Sequence, residues 1–341
     1  MVNVYPKISI ITATLNAVLV LEKCYKSLSE QDYPKEKIEL LIGDGGSTDG
    51  TLEVAKKYGA KVFSNPLKTA EAGKVVALRE ATGDFIILID SDNILPDKNW
   101  LKQMIEPLIE HPEAVGSEPR TYTWRKEDGF ITRYCALIGM NDPIVSFLGN
   151  YDRLNLLTGM WTEIQHDEKD FPNYILATFD QRGMPTIGAN GTVFRSDFLK
   201  SRVVGDYLFD IDILAKEIKT NKTVRFIKTK NGIIHSYCEN DIAKFARKQR
   251  RRVKDYLYHQ SQKARSVDSP FLKKTGMLTF IIYCVTILPL VYQSIKGYII
   301  KKDTAWFFHP LACEITLVEY SFGILESKIN NAEVSRENWK Q

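Results

Sequence analysis

A Rossmann-like α/β fold, with a mostly parallel sheet flanked by helices, is what this sequence predicts. Three observations carry that expectation. Short β-branched runs alternate with apolar segments of helical period from Ile8 to Ile89. The loops after the runs carry Gly, Thr and Asp in place of apolar residues. The apolar run Asp84-Phe85-Ile86-Ile87-Leu88-Ile89 delivers two carboxylates, in Asp90-Ser91-Asp92, to what would be a strand's carboxyl end. Alternation of this kind implies strands joined by helical crossovers, with ligands in the crevice at the carboxyl ends.

Each element follows in order. Ile8 to Ala13 reads as a strand and Val18 to Leu28 as a helix, from period-two and period-3.6 patterning respectively. Ile38 to Ile42 is a second strand, Gly43 to Gly50 a tight loop, and Thr51 to Tyr58 a helix closed by Gly59. Lys61 to Phe63 gives a third strand, Ala70 to Ala81 a helix broken by Gly83, and Phe85 to Ile89 a buried strand. Between residues 119 and 180 the periodicity fades and assigns no element. Pro185 to Arg195 is a Gly-punctuated, strand-like stretch. A helix starts at Asp210 and runs to Ile218, and Val224 to Ile227 and Gly232 to His235 read as two short strands.

The composition then shifts. Residues 244–274 are dense in Lys and Arg, among them Arg247, Lys248, Arg250, Arg251, Arg252, Lys254, Lys263, Arg265 and Lys273, interrupted at roughly helical spacing by Phe245, Val253, Tyr256 and Leu257. Met277 to Ile295 is apolar and nearly the ~20 residues a bilayer core requires, with Pro289 expected to kink a helix there. A second apolar stretch, Ala305 to Leu325, carries His309, Glu314 and Glu319, so it is a weaker spanning candidate that could lie at the interface. The division expected is therefore a main domain over 1–240 with halves 7–118 and 119–240, a basic amphipathic helical segment over 241–274, a hydrophobic membrane-associated region over 275–328 and a polar tail over 329–341.

Bulk numbers narrow the partners. Against 46 Lys and Arg stand 42 Asp and Glu, and a net charge of +4 on 341 residues is too small to argue for nucleic acid. The five cysteines are scattered without a CxxC pair, which argues against a zinc site or a disulfide framework and fits a reducing compartment. The segment Met1 to Lys7 leads directly into a strand with no signal-peptide pattern, and a basic flank precedes the apolar span, so the expectation is a cell-membrane protein whose catalytic part faces the cytoplasm.

Asp90-Ser91-Asp92 is a compact hard-oxygen site suited to Mg²⁺ or Mn²⁺ carrying a diphosphate, although a strand-end turn with solvated carboxylates would read the same. Asp44, followed by Gly45-Gly46, can accept a hydrogen bond from a base N–H or a ribose hydroxyl, or its loop can simply cap the next helix. Thr12 and Thr14 after the first strand, Asp44 after the second and Asp90 to Asp92 after the fourth describe one crevice.

On Ile8-Ser9-Ile10-Ile11-Thr12-Ala13-Thr14-Leu15-Asn16, Glu39 to Thr51 with its Gly43-Asp44-Gly45-Gly46-Ser47-Thr48-Asp49-Gly50 core, and Ala81 to Asp92, the chain resembles glycosyltransferase family 2, whose members have the GT-A fold. The likeness covers about residues 7–110. It implies that Thr12, Thr14 and Asp44 hold the nucleoside of a nucleotide-diphospho-sugar, that Asp90 and Ser91 lie on the ribose side and that Asp92 binds the metal. It also implies a basic contact near the nucleotide from Lys74, for which an exposed solvating lysine is the alternative. An inverting transfer needs a base for the acceptor hydroxyl. The family's acidic motif is best matched by Phe209-Asp210-Ile211-Asp212, with Phe209 where a Glu is usual. Asp210 is then the base and Asp212 or Asp206 the alternatives, while a helix-capping Asp210 would look alike. Gly188-Ala189-Asn190-Gly191 would line the acceptor side. His235 matches a metal-ligand position in some members, though a lone His is often structural. Gln249-Arg250-Arg251-Arg252-Val253 resembles a Gln-x-x-Arg-Trp element with Val253 replacing Trp, which weakens a processive reading. Gln249 and Arg252 there would reach a diphosphate, or the helix would be a polybasic face for anionic headgroups.

The function expected is thus a metal-dependent, inverting sugar transfer to a membrane-associated, lipid-linked saccharide or glycan acceptor, with transfer to polyprenyl phosphate as the runner-up. A catalytically inactive membrane-tethered nucleotide-binding module is the alternative of another class. A dinucleotide oxidoreductase is excluded because Thr12 to Ala17 lacks any glycine where a GxGxxG turn would stand.

Overall fold

The computed structural model describes residues 5–203, 205–262, 274–330, 332 and 334. Three βα units open the chain: β1 (Ile8–Thr14) and α1 (Val18–Ser29), β2 (Ile38–Asp44) and α2 (Thr51–Lys57), β3 (Lys61–Ser64) and α3 (Ala70–Glu80), followed by β4 (Phe85–Leu88). Next come β5 (Asn93–Ile94), α4 (Trp100–Glu110), β6 (Ala114–Thr123), α5 (Phe130–Ile138), α6 (Ile144–Leu148), β7 (Asp167–Asp170), β8 (Tyr174–Phe179) and β9 (Thr192–Arg195). The rest is α7 (Ser196–Arg202), α8 (Asp210–Asn221), β10 (Val224–His235), α9 (Ile242–Ser261), α10 (Lys274–Thr286), α11 (Leu288–Ile300) and α12 (His309–Ile329).

Among the described residues the strands form one sheet in the order β3-β2-β1-β4-β9-β6-β10-β8-β7, with β5 paired to the end of β10. The mostly parallel sheet expected from sequence is therefore corrected to a mixed one. β1 runs parallel to β2 and β4, and β2 to β3, but β9 enters antiparallel between β4 and β6. Antiparallel pairings of β8 and β5 with β10, and of β7 with β8, complete the sheet. The two short strands expected at 224–227 and 232–235 are one strand, interrupted by register shifts between Arg225 and Ile227 and between Thr229 and Gly232 in its parallel pairing with β6.

Both sheet faces are covered. One packs Leu21, Tyr25, Trp100 and Met104 against Ile8, Ile10 and Ile87, and the other packs Val75, Leu78, Ile213 and Leu214 against Ile11, Leu41 and Ile86. Helix α3 comes unusually close to the sheet because a Cβ at Gly43 would collide with the backbone of Gly73, so the two glycines let main chain touch main chain. That approach brings Lys74, the next residue, down to the carboxyl edge of the strands. Beneath the sheet's middle, Glu118 is fully buried between Arg153 and Lys228 at 2.5 Å from each. Arg153 also donates to the carbonyl of Asn190 at 3.0 Å.

The C-terminal third is helical and splits into faces. Helix α9 is capped by Asp241, whose carboxylate accepts the Lys244 N–H at 2.7 Å, and it lies along α12. Val253 meets Gly323 there, Arg250 pairs with Glu319 at 2.5 Å and with Glu326 at 3.3 Å, and Lys254 pairs with Glu326 at 3.1 Å. Lys263, Arg265 and Lys273 of the expected basic segment, and most of the expected polar tail, lie outside the described residues.

The single Pro-kinked span expected over 277–295 is instead two helices, α10 and α11, meeting at 95°. The break is at Ile287, which takes φ 58°, and Pro289 follows in the first turn of α11, where it costs no hydrogen bond. Among the described residues no single helix is long and apolar enough to cross a membrane, whereas the bent pair has the length and composition to do so. Val285, Leu288 and Ile299 on this pair are 78%, 75% and 74% exposed. All five cysteines are buried free thiols.

Candidate active site

The crevice forms where the parallel strands end. Pairing of β1 with β2 sets Thr14 opposite Asp44. The Asp44 carboxylate accepts from Thr14 Oγ1 at 2.7 Å, Ser47 Oγ at 2.6 Å, and the Gly46 and Ser47 N–H groups at 2.8 Å each. It is almost fully buried and ties its own glycine loop to β1. Thr12, expected beside the nucleoside, is fully buried. Neither residue is on the wall of the cavity of about 730 Å³ that opens at this edge, whereas Ala13, Thr14 and Leu15 are. Thr12 shares a sheet face with Thr14 but lies two residues back from the strand's end, inside the sheet packing, while the strand end reaches the crevice.

Asp90, Ser91 and Asp92 line that cavity together with His235. The turn they form is held from several directions. The Asp90 N–H donates to Asn93 Oδ1 at 3.0 Å, and Asn93 Nδ2 donates to Asn190 Oδ1 at 2.9 Å. Residue Asn93 is the register partner of His235, and the Ser236 N–H donates to the Asp92 carbonyl at 3.0 Å. The end of β10 is thereby stitched to the turn, which sets His235 Nε2 3.3 Å from Asp92 Oδ1. Burial raises the cost of charge on Asp92, yet His235, Lys248 and Lys244 more than offset it and hold the carboxyl well below the usual carboxylate range. A permanently ionised carboxylate beside an imidazole, on a cavity wall, is a donor set that fits Mn²⁺ or Mg²⁺ with further oxygens from a ligand.

Lys74 bridges the two sides of the site. Its Nζ is 3.5 Å from Asp90 Oδ1 and 3.5 Å from Asp210 Oδ2. Burial opposes its charge, but Asp210, Asp90 and Glu71 outweigh that and keep the ammonium protonated. For Asp210, burial raises the pKa to about 6 despite the lowering influence of Lys74, with Asp90 and Glu71 adding to the rise. Asp210 Oδ1 is buried without a hydrogen-bond partner. Lys74 and Asp210 are not themselves on the cavity wall, while their neighbours Asp90, Glu71 and Phe209 are. Of the alternatives, Asp206 is on the surface paired with Arg79 at 2.9 Å, and Asp212 is buried in the first turn of α8, off the cavity wall.

Helix α9 forms the facing wall with Lys248, Arg251, Arg252 and Tyr256. Gln249, expected to reach a diphosphate, is fully buried beneath that wall instead, donating from Nε2 to the Asn141 carbonyl at 2.9 Å and accepting from Arg252 at 2.5 Å. The ridge that packs on α5 and α12 fixes the rotation of α9, and Gln249 falls inward. Arg252 lines the cavity and lies 3.5 Å from Asp142. Lys248, which sequence reading passed over within its basic run, sits over the Tyr237 ring at 4.3 Å; burial lowers its pKa, with Asp92 and Cys238 working against that. Asn141, also passed over, lies on the same wall and contacts His235. It belongs to the stretch where no periodicity could be read. The cavity lining also includes the apolar residues Ile144, Leu148, Met277 and Ile324.

A mixed sheet of this topology with a carboxylate pair at its crevice is a GT-A-like architecture. The mannosyltransferase PcManGT from Pyrobaculum calidifontis, solved with GDP-Man and Mn²⁺, shares this fold at a TM-score of 0.51 and 16% identity, over 94% of this chain and 88% of that one. Residues 9–156 match the model of Glycosyl transferase family 2. Curated relatives include the poly(ribitol-phosphate) beta-N-acetylglucosaminyltransferase TarS of Staphylococcus aureus, 34% identical over 32% of this chain and 20% of that protein. Another is the dolichyl N-acetyl-alpha-D-glucosaminyl phosphate 3-beta-D-2,3-diacetamido-2,3-dideoxy-beta-D-glucuronosyltransferase of Methanococcus voltae, 36% identical over 29% of this chain and 33% of that protein. The chain thus matches a fifth to a third of the length of these relatives.

Proposed function

We propose that this protein is a family 2 glycosyltransferase that takes a nucleotide-diphospho-sugar in the presence of Mn²⁺ or Mg²⁺ and transfers the sugar, with inversion, to a lipid-linked saccharide at the cytoplasmic face of the cell membrane. The observation that carries the reading is that one cavity is lined by Asp90, Asp92 and His235, by Lys248, Arg251 and Arg252, and by the apolar residues Met277 and Ile324. Asp92 and His235 would hold the ion, which when bound supplies positive charge for a leaving diphosphate. Thr14 lies at the nucleoside end, and Asp44 acts there by fixing the loop. Asp90 orients the ribose side and anchors Lys74. Asp210, with its raised pKa and one unpartnered oxygen, takes the acceptor proton once the Lys74 bridge opens. Residues 7–118 then serve the donor and 119–240 the acceptor.

Membrane association is supported by the exposed apolar faces of α10 and α11, whose 95° bend lets both arms lie along an interface. The relatives that act on poly(ribitol-phosphate) and on a dolichyl phosphate-linked sugar favour acceptors that carry phosphate. Direct transfer to polyprenyl phosphate is the second reading, favoured by the three cationic side chains Lys248, Arg251 and Arg252 on the same cavity. The test is donor hydrolysis or transfer by the full chain over UDP-, GDP- and dTDP-sugars with each metal, beside Asp92→Ala and Asp210→Asn. Metal-dependent turnover of one donor, lost in both variants, supports the proposal. No turnover and no nucleotide binding sinks it in favour of the inactive tethered module.

A further inference from the structure

The Arg252 guanidinium carries its N–H donors in a rigid fork, and the protein takes hold of only one side of it. Nη1 donates to Gln249 Oε1 at 2.5 Å and to the Asn141 carbonyl at 3.4 Å, and it lies 3.5 Å from Asp142 Oδ2. Nη2 donates to the Tyr237 hydroxyl at 3.4 Å. Among the described residues Nε–H and the other Nη2–H have no partner, and Arg252 is on the cavity wall. Those two donors form the edge that a phosphate takes with two parallel hydrogen bonds. The Tyr237 ring also lies under the Lys248 ammonium at 4.3 Å, so a second cation stands on the same wall.

The hold on Arg252 reaches across the chain. Asp142, in the loop between α5 and α6, is buried, and its Oδ1 accepts the Ile144 N–H at 3.3 Å. Its Oδ2, the oxygen nearest Arg252, also accepts from the Tyr320 hydroxyl of α12, 178 residues away in sequence. Asp142, Arg252 and Tyr320 all line the cavity. A guanidinium only donates and a carboxylate only accepts, so the sense of these contacts is fixed by chemistry.

We infer that Asp142 and Tyr320 are positioning residues for Arg252, anchoring one side of the guanidinium so that its Nε and Nη2 donors stand ready as a two-point site for a phosphate of the substrate. Holding a long side chain in place beforehand removes the cost of ordering it when the ligand arrives. The arrangement has an opposing cost, because the Asp142 charge repels a phosphate. Removing that charge therefore acts in opposite directions if Asp142 positions Arg252 and if it merely neutralises it. The inference rests on the reading that the cavity takes a phosphate-bearing substrate, and the phosphate is that of a nucleotide donor or of a lipid acceptor.

The experiment measures binding to the full chain by calorimetry, with UDP and GDP in the presence of Mn²⁺ as one arm and farnesyl phosphate in detergent micelles as the other. The proteins are the unaltered chain, Arg252→Gln, Asp142→Asn, Tyr320→Phe and the combined Arg252→Gln/Asp142→Asn variant. Loss of a charged two-point contact in Arg252→Gln should weaken one arm about 10–100-fold. Asp142→Asn should weaken the same arm about threefold or more, and Tyr320→Phe should act in the same direction by less. Because Asp142 acts through Arg252, the combined variant should bind within about twofold of Arg252→Gln alone. The arm that responds identifies the source of the phosphate. Tyr320→Phe keeps both the charge and the ring, so it repeats the comparison, alone and combined with Arg252→Gln, if Asp142→Asn does not fold. Unchanged or tighter binding by Asp142→Asn overturns the inference, as do losses that multiply in the combined variant. Arg252→Gln binding like the unaltered chain in both arms also overturns it, while the nucleotide reading of the cavity survives if UDP or GDP binds. Failure of the unaltered chain to bind UDP or GDP sinks that reading, and failure to bind farnesyl phosphate as well sinks the inference with it.

Discussion

The two walls of the cavity are built in different ways. The wall that bears Asp90 and Asp92 hangs from strand ends whose neighbours lie close in sequence, joined by helices of seven to twelve residues. The wall that bears Lys248, Arg251 and Arg252 is a helix whose rotation is set by partners far along the chain, such as Glu319, Glu326 and Asn141. On the first wall a residue's role follows from its place after a strand. On the second it follows from which way the helix is turned, and a one-residue change in azimuth, about 100°, exchanges a cavity-facing cation for a buried one.

That contrast makes predictions, and the largest effect tests the strand-borne wall. Asp210→Asn should lower transfer about 10²–10⁴-fold, the usual worth of a general base, with nucleotide binding retained; loss of nucleotide binding instead would move Asp210 from chemistry to folding. Next comes the packing that the strand-borne side depends on. Lys228→Ala leaves Glu118 and Arg153 buried without a full set of partners, and should cost about 3–5 kcal/mol in denaturant unfolding, as breaking a buried ion pair does.

A smaller effect concerns pH. Because burial sets the Asp210 pKa at about 6 with Lys74 pulling it down, donor turnover to an acceptor should rise with pH through about 6 as the base ionises. The sign for stability is opposite, since the folded state binds this proton more tightly than the unfolded chain and loses that contribution as pH rises from 3.8 through about 6. Lys74→Met should shift the activity midpoint upward, and an unmoved profile would show that another group controls it. The smallest effect lies on the α9 wall. Arg250→Ala, which removes partly exposed pairs with Glu319 and Glu326, should change stability by no more than about 1 kcal/mol. A larger loss would mean that the seam between α9 and α12 is held electrostatically rather than by Val253 against Gly323.

Legibility in the sequence followed the same division. The βα units up to Leu88 were readable to within a residue or two, since their periodicities are strong and their loops carry glycine and aspartate. Residues 119–180 hold α5, α6, β7 and β8, but α6 is five residues long and β7 is four exposed charged residues. Neither leaves a periodic trace. The structure brings Thr14, Asp90, Asp92 and His235 to one cavity and joins Lys74 and Asp210 to Asp90, residues named from their positions in the sequence, whereas Thr12 lies inside the sheet packing. Gln249, named for a diphosphate, is buried off the cavity wall, because nothing in a basic helix announces which face a distant α12 will cover. Asn141 had no signal at all, because its meaning depends on a histidine 94 residues away.

Tyr320 and Ile324, near the end of α12, close the same cavity that opens beside Ala13 and Thr14. During synthesis the donor-side carboxylates are therefore in place long before the chamber they serve. The crevice stays an open shelf until the last long helix has been made and has docked on α9. A chain halted anywhere before that helix would carry every acidic residue of the site and still lack an enclosed place to use them.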